Sequence, residues 1–263
     1  MLRSANEANV ATLDTAHGYG DAERILGELH VEAAAFRVFT KTLSLTTDPL
    51  TKHEVMGVAR AFQESLARLR RSRVEGLLVH NPDNLLVPGG DRLWATLCEL
   101  RADGLAQRIG VSVYHPAQLA RIIERFDIDV AQIPFSIYDQ RFAQLGLLRK
   151  LKKSRVEVHA RGVFLQGIMV LPPHELPQQF DSIRDHQTRL HRRMLDIGQS
   201  RVPAALQFVL NQPELDVVIV GTETASQLEE ILEAARSDGV NLPDFTCFAL
   251  TDEEILDPSR WSV

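Results

Sequence analysis

The first three short apolar runs in this chain each end in an ionisable side chain. Asp14 closes the run over residues 10–14, Lys41 the run over 36–41, and His80 the run over 74–80. Tyr19 follows Asp14 by five positions, in the loop Thr15-Ala16-His17-Gly18-Tyr19-Gly20. A phenol, with an ordinary pKa of ~10, needs help to give up a proton near neutrality. A neighbouring ammonium stabilises the phenolate left behind, and a carboxylate keeps that ammonium charged. A neutral imidazole beside the phenol completes a set that delivers a proton to an oxygen, as when a carbonyl is reduced. One charged residue at the end of a buried strand is an ordinary entry into a polar loop. Three on successive strands, where charge is costly, read as a site.

Such a site needs a scaffold that brings strand ends together. Four further apolar runs, 108–112, 130–133, 156–161 and 217–220, end at Ser112, Gln132, Arg161 and Gly221-Thr222. Between the runs lie segments with apolar residues at helical spacing, over 21–30, 51–70, 91–103, 116–126, 139–154, 202–211 and 225–235. Strands alternating with helices predict a parallel sheet covered by helices. With no early Gly-x-Gly-x-x-Gly, the rhythm favours a (β/α)8 TIM barrel over a doubly wound sheet. A TIM barrel builds its catalytic face from the C-terminal ends of its strands, where all these polar residues fall. We expect a single domain over residues 1–263. Its one irregular stretch, 171–198, is polar, holds three histidines and three prolines, and reads as a partly helical insertion.

Composition narrows the function classes. Of the 263 residues, 29 are Lys or Arg and 35 are Asp or Glu, a formal charge of −6 that offers no footprint for nucleic acid or an anionic membrane. No apolar run approaches the ~18 residues of a membrane span, and the first residues contain no apolar signal segment. Cys98 and Cys247 form no disulfide framework. The insertion histidines His174, His186 and His191 lack metal-ligand spacing, so no metal is expected. His17 and His115 are loop histidines at the expected mouth, and His159 reads as a core histidine. The expectation is a cytoplasmic protein acting on a small molecule, without a nucleic acid or membrane partner.

The run from Leu13 to Glu23 resembles the aldo-keto reductase signature Asp-Thr-Ala…Tyr-Gly…Glu. Phe39-Thr40-Lys41, Leu77-Leu78-Val79-His80-Asn81-Pro82 and Ile109-Gly110-Val111-Ser112 resemble the next three motifs of that family, in order. Ser65-Leu66-Ala67-Arg68-Leu69 and Val220-Gly221-Thr222 are similar too, so the likeness spans roughly residues 2 to 235. It implies an aldo-keto reductase barrel that binds NADP(H) without a Rossmann domain and reduces an aldehyde, ketone or sugar carbonyl. Tyr19 would be the general acid, Lys41 and Asp14 its tuning pair, and His80 the group orienting the carbonyl. Ser112 and Gln132 match positions that hold the nicotinamide carboxamide. Arg161, Gly162, Phe164, Leu165 and Gly167 match the loop over nicotinamide and pyrophosphate. Gly221, Thr222, Thr224, Gln227 and Glu230 match the segment around the adenosine end.

The chain departs from the family pattern in three places. Arg161 stands where members often carry a stacking Tyr, although a planar guanidinium also stacks. Residues 221–226 offer hydroxyls and Glu223 but no base for a 2′-phosphate, so NAD(H) stands as an alternative to the family default. Residues 2–9 look like the second half of the family's first helix, which makes 10–14 its second strand, with the first β-strand absent. A non-catalytic nucleotide-binding or interaction protein is the alternative reading. A barrel aldolase using Lys41 as a Schiff base explains Lys41 but neither Tyr19 nor Asp14.

Overall fold

The computed structural model describes residues 1–29, 34–236 and 242–261. It separates into two units, Met1–Gln132 with Lys153–Glu157, and Ile133–Lys152 with Val158–Val263. The predicted helix over 21–30 ends at His30, outside the described residues.

In the first unit, helix α1 (Leu2–Glu7) leads into β1 (Thr12–Asp14), α2 (Ala22–Glu28), β2 (Arg37–Lys41), α3 (Lys52–Leu69) and β3 (Val74–Val79). There follow α4 (Gly90–Ala102), β4 (Ala106–Ser112), α5 (Pro116–Ile123) and β5 (Val130–Pro134), whose last two residues begin the second unit. Pairing is parallel from β1 to β5. Thr51 caps α3 in a reciprocal box: its hydroxyl accepts the Glu54 N–H, and the Glu54 carboxylate accepts the Thr51 N–H. The buried stripe of α3 includes Val55, Val58, Phe62 and Leu66, the residues whose spacing predicts the helix.

Strand β2 shows how alternation builds the interior. Residues two apart share a face, so Arg37, Phe39 and Lys41 form one column and Val38 and Thr40 face the other way. Phe39 is wholly buried with Leu78 and Val130. Gly76 makes room for its ring, because a Cβ there would lie 2.2 Å from Phe39 Cδ1. Below the ring, Arg37 joins a closed set of four charges. Its Nη2 donates to both Glu157 carboxylate oxygens at 2.7 and 3.0 Å, and its Nε lies 3.6 Å from Glu75. Arg108 also bridges Glu75, and its Nε lies 3.2 Å from Glu157. Each cation thus touches both anions.

The second unit contains α6 (Arg141–Gln144), α7 (Leu147–Lys153) but for its last residue, β6 (Glu157–Arg161) but for its first, α8 (Arg184–Asp196), α9 (Arg201–Leu210), β7 (Val217–Val218), α10 (Ala225–Arg236) and α11 (Glu253–Leu256). Strands β6 and β7 pair in parallel, and the seven strands follow one another across the sheet in chain order. The single helix predicted over 139–154 is two helices, because Gly146 turns the chain left-handed at φ 71° between them. The stretch 171–198 is more ordered than an irregular insertion: two 3-10 turns lead into the 13-residue α8. Leu190 and Met194 of α8 belong to a buried cluster with Ile137, Tyr138, Phe180 and Phe245. The buried apolar residues of α8 are only these two, four positions apart on one face, which is why the polar average hides them.

His191 is buried on α8, and its Nε2 donates to the Met169 carbonyl at 3.0 Å. Burial, aided by the charge of Arg201, pushes its pKa below the ordinary value, against the pull of the Met169 carbonyl. The unfolded chain therefore binds this proton first. The stability that neutral His191 contributes is complete above its unfolded value of about 6.5 and is lost as pH falls through the lowered folded value. His191→Gln keeps an N–H for Met169 and cannot titrate. Urea midpoints at about pH 7.5 and about pH 5 are expected to differ less in His191→Gln than in the parent chain.

Candidate active site

The candidate site lies in the first unit, at the C-terminal ends of its strands. Lys41, at the end of β2, is 1% exposed and Asp14, at the end of β1, 11%. Parallel pairing of β1 with β2 sets Asp14 opposite Phe39, two residues before Lys41. The Lys41 ammonium donates to Asp14 Oδ2 at 2.6 Å and to the Thr15 carbonyl at 2.9 Å. A buried ammonium needs such partners, since desolvation costs several kcal/mol per ion.

The other Asp14 oxygen, Oδ1, accepts from Gln132 Nε2 at 2.8 Å. Gln132 Oε1 in turn accepts from the Ser112 hydroxyl at 3.2 Å. Ser112 ends β4 and Gln132 is the third residue of β5, so parallel register places them side by side. The residues expected to hold a carboxamide thus also brace the carboxylate of the lysine pair, a link that no sequence spacing encodes.

Tyr19 is 46% exposed, the one member of the set turned largely to solvent. The Lys41 ammonium lies 4.8 Å from the centre of its ring. The His80 ring meets the Tyr19 ring edge-on, at 5.6 Å between centres and 83° between planes. The backbone N–H of His80 donates to Thr42 Oγ1 at 3.2 Å. Asp14, Tyr19, Lys41 and His80, separate in sequence, are therefore one cluster: a phenol with an ammonium at its face and an imidazole at its side.

The second unit carries the other candidate residues on two segments. At the end of β6 the Arg161 carbonyl accepts the Phe135 N–H at 3.0 Å. The turn after it is left-handed at Gly162, Leu165, Gln166 and Gly167. A Cβ on Gly162 or Gly167 would meet nothing within 4 Å, so backbone there is open to close approach. Leu165 and Gln166 hold the same conformation without being glycine, a cost met at functional turns. Leu165 turns its side chain into the buried cluster, with Phe164 packed against it. Gly221, Thr224, Gln227 and Glu230 are exposed and Thr222 is half-buried. Gln227 Oε1 accepts the N–H groups of Glu223 and Thr224, and Thr224 Oγ1 accepts that of Gln227. These two residues thus cap α10. Among the described residues no group of three or more His, Cys, Asp and Glu is placed to hold a metal, and no helix is long and apolar enough to cross a membrane.

Sequence reasoning missed the charges behind the Tyr19 loop. Glu23 and Arg68 stand inside the quoted motifs, and the structure pairs them at 2.7 Å with Glu23 only 1% exposed. The spacing of apolar residues gives no signal for them: Ile25 and Leu29, two of the apolar residues in the helix predicted over 21–30, are 45% and 42% exposed, and it is Glu23 that turns inward.

The model of the Aldo/keto reductase family matches residues 1–238. YqkF of Bacillus subtilis (strain 168), named as an oxidoreductase, is 24% identical over 212 residues, 75% of this chain and 63% of its own length. The matched region thus spans less than two thirds of that relative. YhdN of the same organism, named as an aldo-keto reductase, is 23% identical over 256 residues, 88% of this chain and 76% of its own length. Among solved structures, the holo form of aldo-keto reductase AKR11C1 from Bacillus halodurans aligns with a TM-score of 0.76 at 19% identity, covering 99% of this chain and 89% of that one. That likeness fixes the fold as the (β/α)8 type of those reductases, as the strand–helix alternation predicts.

Removing the ammonium strands Asp14 against Gln132 with a largely buried charge. Lys41→Met is expected to destabilise the chain by about 3 kcal/mol, the cost of breaking a buried pair from one side. Urea denaturation followed by circular dichroism measures it, and Lys41→Met with Asp14→Asn together should recover part of the loss.

Proposed function

Because the chain belongs to the aldo/keto reductase family, we propose that it reduces the carbonyl group of a small aldehyde, ketone or sugar with a nicotinamide cofactor. The observation that carries this reading is the single cluster of Tyr19, Lys41, Asp14 and His80.

Tyr19 donates its phenolic proton to the carbonyl oxygen. Lys41, at the face of the ring, stabilises the phenolate that remains, and Asp14, held at both oxygens, keeps the ammonium in place. His80, beside the phenol, donates to the same carbonyl oxygen and orients it. Exposure of Tyr19 leaves its hydroxyl open to a substrate from solvent. General acid catalysis of this kind contributes roughly 10²–10⁴-fold.

The donor set suits a nicotinamide cofactor. Ser112 and Gln132 would hold the carboxamide, with Arg161, Gly162, Phe164, Leu165 and Gly167 on the nicotinamide and pyrophosphate side. Gly162 and Gly167 have free space where side chains would sit, which favours a ligand lying close to backbone. For Phe164 and Leu165, whose side chains pack with the core, the backbone would make the contact. Gly221, Thr222, Thr224, Gln227 and Glu230 are assigned to the adenosine end. When bound, the nicotinamide supplies the hydride to the carbonyl carbon.

NADP(H) is the family default. A second reading, NAD(H), is favoured by the exposed Glu223 and by the lack of any Lys or Arg in residues 221–226. An acid beside a 2′-phosphate repels it, whereas it accepts from a 2′-hydroxyl.

Tyr19→Phe is expected to lower kcat by roughly 10²–10⁴-fold while cofactor affinity stays near that of the parent. Cofactor oxidation at its near-ultraviolet absorbance gives the rate, and quenching of protein fluorescence the affinity. Retained turnover would overturn the assigned role. Titration of the parent chain with NADH and NADPH in parallel decides the cofactor, and Glu223→Lys is expected to shift preference toward NADPH.

A further inference from the structure

Behind the loop that carries Tyr19 lies a second set of charged and polar groups that the reduction does not use. Glu23, in the first turn of α2, has both carboxylate oxygens engaged. Oε1 accepts from the Thr40 hydroxyl at 2.6 Å, and Oε2 accepts from Arg68 Nε and Nη2 at 2.9 and 2.7 Å. Arg68 belongs to the last turn of α3 and reaches Glu23 because the two helices touch backbone to backbone. A Cβ on Gly27, one turn beyond Glu23, would lie 1.9 Å from the Arg68 carbonyl oxygen.

Arg68 does not stop at Glu23. Its Nη2 lies 2.6 Å from His17 Nδ1 and 3.1 Å from Ser65 Oγ, which is itself 3.3 Å from the same His17 nitrogen. A guanidinium can only donate, so His17 Nδ1 accepts and the ring carries its proton on Nε2. The side chain of His17 is thereby fixed to α3. Its backbone is fixed to the catalytic strand, where the His17 N–H donates to the Lys41 carbonyl at 3.3 Å. Tyr19 follows within the same turn: its N–H donates to the Ala16 carbonyl at 3.1 Å, and its carbonyl accepts from Ala22 at 3.0 Å.

Thr40 closes the circuit. It precedes Lys41 on β2 and, by strand alternation, faces the helices while Lys41 faces Asp14. One strand thus anchors both ends of the arrangement. Its inner face holds the lysine beneath the phenol, and its outer face holds the carboxylate that fixes Arg68.

We propose that Glu23, Arg68 and His17 form a positioning relay that holds the Tyr19 loop in register over Lys41. The proposal rests on the reductase reading given above and adds three residues to which that reading gives no part in the chemistry. A misplacement of ~1 Å at a reacting group costs up to about 10²-fold in rate, so a solvent-facing acid such as Tyr19 needs rigid support.

The test compares His17→Leu, which removes the acceptor, with His17→Asn, whose amide oxygen stands near Nδ1 and still accepts from Arg68. Both replace a half-buried loop residue, and their far-ultraviolet spectra and urea midpoints establish folding before kinetics. His17→Leu is expected to lose about tenfold in kcat with KM for the cofactor unchanged, and to show faster amide exchange over residues 15–22. His17→Asn is expected to recover both. Arg68→Met should reproduce the leucine variant in both readouts. Equal kcat and equal exchange in His17→Leu and the parent would overturn the relay, as would failure of His17→Asn to recover either. A parent chain that reduces no carbonyl with either cofactor would instead overturn the reductase reading, and the exchange comparison would still decide the relay.

Discussion

An ammonium buried to 1% exposure is the demand from which the rest of the site follows. The Lys41 ammonium is held by Asp14 and the Thr15 carbonyl, which accept its hydrogen bonds. Asp14 stays in place only because Gln132 takes its second oxygen, and Gln132 is oriented by Ser112. Four parallel strand ends are thus required to satisfy one cation. The bond from Gln132 to Asp14 joins β5 to β1, strands that are not neighbours in the sheet order. The reaction proposed for the site uses that demand: the charge that is hard to bury is also the one that steadies a phenolate.

Much of this was readable in the chain. Each of the seven predicted strands is present, and Asp14, Lys41, Ser112 and Arg161 end theirs in space as in sequence, whereas β5 runs on past Gln132 to Pro134 and β7 stops at Val218. The reason is local: an apolar run followed by a charge marks where a buried strand emerges, whatever the neighbours are. The helices 51–70 and 225–235 were legible because capping residues and spacing agree over long segments. The helix over 139–154 was misread because Gly146 breaks it at a point where the apolar spacing continues on both sides.

What the sequence withheld was pairing. Glu23 and Arg68 are 45 positions apart, as are many oppositely charged residues in the chain, and only the close approach at Gly27 selects this pair. The bond from Gln132 to Asp14 spans 118 positions. Such links depend on which helix lies against which strand, information that periodicity does not hold. The stretch 171–198 illustrates the same limit from the apolar side. Leu190 and Met194 are too few to reveal a helix by average hydropathy, yet they fill a core built by distant residues such as Phe245.

The four charges below Phe39 bear on how this chain can change over generations. Arg37, Glu75, Arg108 and Glu157 balance to zero only as a set, each cation bound to both anions. Loss of any one leaves an odd charge among half-buried neighbours, and a reversal opposes two partners at once. Substitutions at these positions are therefore coupled: descendants keep all four, or replace them in compensating pairs. Strands β2, β3, β4 and β6 each carry one of the four, so drift in any of these strands is constrained by residues on the other three.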